Sequence, residues 1–137
     1  RNLVRSFFLN QREERIYPLL TMAILYYITY YVMKGITASL FFNFYMLGAT
    51  LLSVVALIIS FYYKISLHML GWGGCLGMLF GLVISFGFDM FWPVSVTIAI
   101  VGIIGTARLK LNSHKPSEIY SGFLAGAAVM FIIFCLI

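Results

Sequence analysis

Long apolar segments separated by short polar stretches constrain this chain more than any other feature of its sequence. Of its 137 residues 63% are apolar and only 9% are charged, and nearly all of the charges lie in the polar stretches. The apolar segments are about as long as the roughly 20 residues that an α-helix needs to cross a bilayer. Because a soluble fold would leave much of this apolar surface in water, lipid is the expected solvent.

The apolar segments are continuous rather than alternating, which favours helices over a β-barrel. We therefore predict an all-α, polytopic transmembrane bundle of about five spans, preceded by a polar segment over residues 1–17 at the membrane face. The predicted spans cover roughly residues 18–34, 37–63, 66–88, 90–107 and 117–137. We expect Pro18 in the first turn of the first helix and Ser66 at the N-cap of the third.

The basic residues are distributed unevenly across the membrane. Five spans place the N-terminal segment, the turn near residue 65 and the loop 108–116 on one side, which we name face A. The basic residues on face A are Arg1, Arg5, Arg12, Arg15, Lys64, Arg108, Lys110 and Lys115, whereas the opposite face has only Lys34. The positive-inside rule predicts a cytoplasmic face A. Since basic residues of a functional site would weaken that inference, the sidedness stays open.

Glycines recur in the third and fifth segments, mostly at a spacing of four residues. They are Gly73, Gly77 and Gly81 in the third segment, with Gly74 and Gly71 nearby, and Gly122 and Gly126 in the fifth. Small residues at this spacing allow helices to approach closely in lipid. We therefore expect helices three and five to contact each other, with packing as the plain explanation of these glycines. The same faces could pack between two chains, so the oligomeric state stays open.

Both histidines of the chain fall on face A, His68 at the start of the third helix and His114 in the loop before the fifth. Arg108 precedes His114 by six residues. Glu118 follows His114 by four, close to one helical turn, so its carboxylate could accept a proton from the imidazole. The N-termini of helices three and five point to the same face and favour anions. The pattern predicts a phosphate-sized anion beside two histidines, although ordinary contacts with lipid headgroups would also suit such residues.

The stretch from Arg108 to Gly126 resembles the third signature of the type 2 phosphatidic acid phosphatases. That signature is Ser-Arg, five residues, His, three residues, Asp-Val and then spaced glycines. Here it reads Ala107-Arg108, five residues, His114, three residues, Glu118-Ile119, two residues, Gly122, three residues and Gly126. The second signature, Pro-Ser-Gly-His, falls on Ile65-Ser66-Leu67-His68, where Ser and His are kept. Two spans separate these motifs, as in the family, and the resemblance covers roughly residues 64 to 130.

Several family features are changed in this chain. Glu118 stands where the family has Asp, and Ala107 stands where it has Ser. The first signature, Lys, six residues, Arg-Pro, has no clean match. Arg5 and Arg12 have the right separation without the proline. A second phosphate-binding arginine is therefore uncertain from the motif, and a degenerate member of the family is an open alternative.

The resemblance implies a role for each matched residue. His114 would be the nucleophile that forms a phosphohistidine, Glu118 would orient it, and His68 would be the general acid for the leaving oxygen. Arg108 would hold the phosphate oxygens. Further expected phosphate contacts are Ser66, Lys64, Arg15 and Lys115. The family chemistry implies no metal and no other cofactor.

The resemblance implies a phosphatase that acts on a lipid phosphate or a polyprenyl diphosphate in a bacterial inner membrane. Membrane lipids are the expected partners, and a nucleic acid is not. One alternative is a non-catalytic relative that binds anionic lipid headgroups, which the missing first signature favours. A second is a bis-histidine haem protein, because both histidines share a face, but His114 in a loop rather than inside a bundle argues against it.

Overall fold

The computed structural model describes residues 12–36, 39–112 and 114–137, and in these residues all regular secondary structure is α-helix. The helices are α1 (Arg12–Lys34), α2 (Leu40–Tyr62), α3 (Leu67–Phe86), α4 (Phe91–Lys110) and α5 (Pro116–Cys135). Each of the five is long and apolar enough to cross a membrane. The predicted fold class, all-α with five membrane-length helices, is confirmed, and the chain is an integral membrane protein.

The first helix differs from its predicted bounds. It begins at Arg12, so residues 12–17 of the predicted polar segment are helical, and residues 1–11 lie outside the described part of the chain. Pro18 consequently lies inside the helix rather than in its first turn, and that prediction is wrong. The apolar pattern marked where the lipid-compatible segment starts. It did not mark the helix start, because polar residues such as Arg and Glu are also good helix formers.

The chain divides into two compact units, residues 1–64 and residues 65–137. In the first unit α1 packs against α2. The buried positions of α2 are small or carry hydroxyl groups, and they include Thr50 and Ser53. Both hydroxyls donate to a carbonyl four residues earlier in their own helix, so they can be buried in an apolar setting. That residues 18–137 form a single bundle stays a prediction.

In the second unit α3 and α5 run parallel and make backbone-to-backbone contact through glycine. A Cβ atom added at Gly73 would collide with the backbone of Phe123, and one added at Gly77 would collide with the backbone of Ala127. The residue numbers of the contacting positions increase in the same direction along both helices, so the two N-termini lie at the same end. The predicted contact between helices three and five is confirmed, and its cause is the absence of side chains at these positions.

The fourth helix runs antiparallel to α3 and packs on it through side chains. The methyl carbon of Met69 lies 3.6 Å from the position where a Cβ of Gly105 would stand. Deeper along the pair, the thiol of Cys75 hydrogen-bonds with the side chain of Thr97. Most of α4 is exposed, and Thr97 is its buried residue. The α3–α4 contact is therefore narrower than the α3–α5 contact.

Gly71 does not share the packing role of the other glycines of α3. It is exposed, and a Cβ atom added to it would meet nothing within 4 Å. The sequence places Gly71 near the glycines that are spaced by four residues, and the structure shows that it lies off their packing face. Its position, two residues before Gly73, turns it about 200° around the helix axis, away from the α5 contact.

Candidate active site

The candidate site is built at the end of the second unit where α3 and α5 begin and α4 ends. A backbone hydrogen bond joins the starts of α3 and α5: the N–H of Ser66 donates to the carbonyl of Glu118 at 3.2 Å. Gly122 makes this approach close, because a Cβ atom there would stand 2.8 Å from the Ser66 carbonyl oxygen. The starts of α3 and α5 are thereby fixed against each other.

The loop that carries His114 is short and has defined ends. The fourth helix runs through Lys110, past the predicted end at residue 107, so Arg108 lies in its last turn rather than in the loop. Asn112 has a φ of 51°, a left-handed conformation that asparagine tolerates and that turns the chain after the helix. Pro116 then begins α5, where a missing N–H does no harm.

His114 and Glu118 form the first pair of the site. Nδ1 of His114 lies 3.0 Å from Oε2 of Glu118, and the two side chains are only 7% and 12% exposed. The same oxygen accepts the backbone N–H of Lys115 at 3.1 Å, so Glu118 also caps the start of α5. Because a carboxylate only accepts, the imidazole donates its Nδ1–H to Glu118, and in the neutral tautomer that this bond selects the lone pair is on Nε2. This is the state that a histidine nucleophile needs.

Arg108 and His68 form the second pair, which joins α4 to α3. Nη2 of Arg108 lies 2.6 Å from Nδ1 of His68. A guanidinium can only donate, so Nδ1 of His68 accepts and its single proton is on Nε2. In this arrangement His68 is neutral. Its Nε2–H can donate a hydrogen bond, and the other four N–H groups of Arg108 stay available for an anion.

The two pairs lie near each other. The carbonyl of Glu118 accepts a hydrogen bond from the backbone N–H of Ser66, which stands two positions before His68. All four side chains belong to the second unit. The arrangement thus brings a nucleophilic nitrogen, a proton donor and a guanidinium to one end of three helices.

Ser66 and Lys115, which were also predicted to contact phosphate, are in less direct positions. Ser66 stands at the N-cap position of α3, but its hydroxyl makes no capping bond and has no hydrogen-bond partner among the described residues. Ser66 is fully buried, so a phosphate could reach this hydroxyl only after a local rearrangement. The backbone of Lys115 is engaged by Glu118, and the residue is exposed.

Two predicted phosphate contacts belong to the first unit. They are Arg15, which is buried, and Lys64, which is partly exposed. Their roles at the site stay predictions. Of the pair proposed for the first signature, Arg5 and the side chain of Arg12 lie outside the described part of the structure.

Sequence reasoning pointed to the four central side chains and to the His114–Glu118 pair, but it missed the pairing of Arg108 with His68. The His114–Glu118 contact follows from a spacing of four residues, whereas Arg108 and His68 are 40 residues apart. No local pattern reports a contact of that kind. In the residues described, no three His, Cys, Asp or Glu side chains cluster in a way that could hold a metal ion.

No family model, curated protein or solved structure matches the chain. The likeness to the type 2 phosphatidic acid phosphatases therefore stays a prediction that rests on two short motifs. What can be said of the site comes from its own geometry.

Proposed function

We propose that the protein is a membrane-embedded phosphatase that hydrolyses a lipid phosphate or a polyprenyl diphosphate through a phosphohistidine. One observation carries the proposal: the His114–Glu118 pair and the Arg108–His68 pair lie together where α3 and α5 begin and α4 ends. The Nδ1–H of one histidine is directed at a carboxylate. A guanidinium and a second histidine stand beside it. These are the parts that a covalent phosphoryl transfer requires.

In the first step Nε2 of His114 attacks phosphorus, a P–N bond forms, and the P–O bond to the lipid breaks. Glu118 stabilises the positive charge that develops on the imidazole, as the acidic member of a triad does. The leaving oxygen takes a proton from His68. In the second step water attacks the phosphohistidine and gives a proton to His68, the P–N bond breaks, and phosphate is released with His114 and His68 restored.

Arg108 must change partners for this sequence to run. While its Nη2 donates to His68, that imidazole is neutral and is a poor acid. A phosphate dianion is a stronger acceptor than an imidazole nitrogen, because hydrogen bonds between two charged groups are roughly twice as strong as neutral ones. Arg108 then turns to the phosphate, and His68 is free to take up a second proton. Substrate binding therefore prepares the acid that the reaction uses.

The setting of the site suits a lipid substrate. The helix ends that carry it belong to membrane-length helices, where the polar group of a lipid meets the aqueous phase. Lys110 ends α4 and Lys115 directly precedes α5, so both add positive charge at these helix ends. A bacterial inner membrane and the side that the site faces stay predictions from the sequence.

The test is phosphate release by the detergent-purified protein in the presence of a chelator. The substrates are phosphatidic acid, phosphatidylglycerol phosphate and undecaprenyl diphosphate. We expect turnover with at least one of them and an acid-labile phosphoryl group on the protein. His114→Ala should abolish both, since loss of a covalent nucleophile removes the reaction path itself.

The melting temperature of His114→Ala is measured beside turnover, because the side chain is only 7% exposed and its loss also removes the bond to Glu118. Turnover retained in that variant would exclude the proposed nucleophile. Leu111→Ala is a matched control, since Leu111 is an exposed residue of the same loop. It should leave phosphate release unchanged.

A second candidate function is binding of anionic lipid headgroups without chemistry. The Arg108–His68 bond favours it, because it keeps the candidate acid neutral in the absence of ligand. Under this alternative the folded protein binds phosphatidic acid vesicles but releases no phosphate. Arg108→Ala then weakens binding, whereas His114→Ala has a smaller effect.

A further inference from the structure

Gly71 lies on the bilayer side of the Arg108–His68 pair. It follows His68 by three residues, so the two share one face of α3, and it is about 4.5 Å farther from the helix start. Side chains of a helix lean towards its N-terminus, which directs the His68 imidazole away from Gly71. Gly71 has no side chain of its own to cover the surface just below His68.

Along α3, Gly71 lies between the level of His68 and the next side-chain contact with α4. One turn deeper on α3, the thiol of Cys75 is hydrogen-bonded to Thr97 of α4. At Gly71 itself, a Cβ atom would meet nothing within 4 Å. We call this space, between the level of His68 and that of Cys75, the Gly71 notch.

Glycine inside a helix is destabilising relative to alanine, and at Gly73 and Gly77 the close contact with α5 offsets that effect. No contact of this kind exists at Gly71. Exposure alone does not define a binding position, because Gly102 on α4 is equally exposed and also has nothing within 4 Å. What distinguishes Gly71 is its place directly below a histidine that is bonded to a guanidinium.

We propose that the Gly71 notch receives the part of a lipid that directly follows its phosphate, and that Gly71 selects substrates that arrive from the bilayer. This inference rests on the proposed function. A phosphate held by Arg108 at the helix ends has its chain directed towards the membrane. The notch is the uncovered surface immediately below. A larger side chain at residue 71 occupies that path, and because it leans towards His68, a water-soluble substrate is needed to separate exclusion of the lipid chain from disturbance of the reacting groups.

The experiment compares Gly71→Leu with the matched control Gly102→Leu on two substrates. One is phosphatidic acid in mixed micelles, and the other is p-nitrophenyl phosphate, which is water-soluble and has no chain. Gly71→Leu should lower kcat/KM for phosphatidic acid by about tenfold or more, as steric exclusion in a binding site does, and leave p-nitrophenyl phosphate within about twofold. Gly102→Leu should change neither. Equal effects on both substrates, or no effect on phosphatidic acid, would overturn the proposal.

A binding measurement separates this proposal from the proposed function. Phosphatidic acid with a photoreactive group near its phosphate should crosslink to α3 in the wild type and in Gly102→Leu, but not in Gly71→Leu. If the wild type hydrolyses neither substrate yet gives this crosslinking pattern, the phosphatase assignment fails and the notch stands as a lipid site. Identical crosslinking in all three proteins rejects the notch. Melting temperatures of all three proteins show whether the variants are folded.

Discussion

Helix α3 contacts its two neighbours in the second unit in different ways. Towards α5 it presents glycines, and backbone lies on backbone at Gly73 and Gly77. Towards α4 it presents side chains, such as Met69 against Gly105 and Cys75 against Thr97. The first kind of contact has few rotatable bonds, whereas the second depends on side-chain rotamers.

This difference matches the roles of the two halves of the site. Glu118 lies on the α5 side, where the Ser66–Glu118 backbone bond fixes helix against helix. Arg108 lies on the α4 side, at the end of a flexible side chain, and bonds to His68. The proposed mechanism needs a fixed nucleophile and an arginine that changes partners. The α3–α5 contact fixes the nucleophile's side of the site, and the α3–α4 contact leaves the arginine side chain able to move.

The largest expected effect comes from filling the α3–α5 contact. Gly77→Leu places a side chain against the backbone of Ala127, which cannot move aside without separating the helices. Overpacking of a tight contact commonly costs about 1–3 kcal/mol, and backbone contact puts this site at the upper end or beyond. We expect loss of folded protein in detergent, measured by size-exclusion yield and melting temperature.

The matched variant for the same substitution is Gly102→Leu, because Gly102 is exposed on α4. It should keep the wild-type yield and melting temperature. Equal losses in the two variants would mean that the contrast between the interfaces does not control stability.

The second prediction compares how the two halves of the site affect kcat. Glu118→Gln keeps an oxygen that can cap α5 but removes the charge that orients and stabilises His114, so kcat should fall by roughly a thousandfold or more. Arg108→Lys keeps a positive charge on a flexible side chain and should lower kcat by about tenfold to a hundredfold. Phosphate release measures both. A larger loss in Arg108→Lys than in Glu118→Gln would reverse the assignment of the fixed and adjustable halves.

The sequence allowed prediction of the features that depend on local spacing. Long apolar segments predicted the five helices, glycines four residues apart predicted the α3–α5 contact, and the His114–Glu118 spacing predicted that pair. Features that depend on which way a helix is turned in the packed unit could not be predicted. Gly71 has the same composition signal as Gly73 but faces away from α5. The Arg108–His68 bond depends on the antiparallel register of α3 and α4, which no short motif encodes.

The smallest expected effect concerns Ser66, where motif and structure point in different directions. The resemblance implies that its hydroxyl binds phosphate, yet Ser66 is fully buried and the described residues offer this hydroxyl no partner. Removing an unpartnered buried hydroxyl loses no hydrogen bond, so Ser66→Ala should change the free energy of unfolding by less than about 1 kcal/mol. Because the hydroxyl is shielded, we expect phosphate release to stay within about twofold of the wild type, well below the roughly tenfold that one lost hydrogen bond of 1.4 kcal/mol causes. Ser60→Ala is the matched control, since the Ser60 hydroxyl on α2 is also buried without a partner among the described residues. A tenfold loss of turnover in Ser66→Ala alone would show that the start of α3 rearranges to bring this hydroxyl to the phosphate. The α5 side of the site, which the Ser66–Glu118 backbone bond fixes in this structure, would then include a segment that moves when substrate binds.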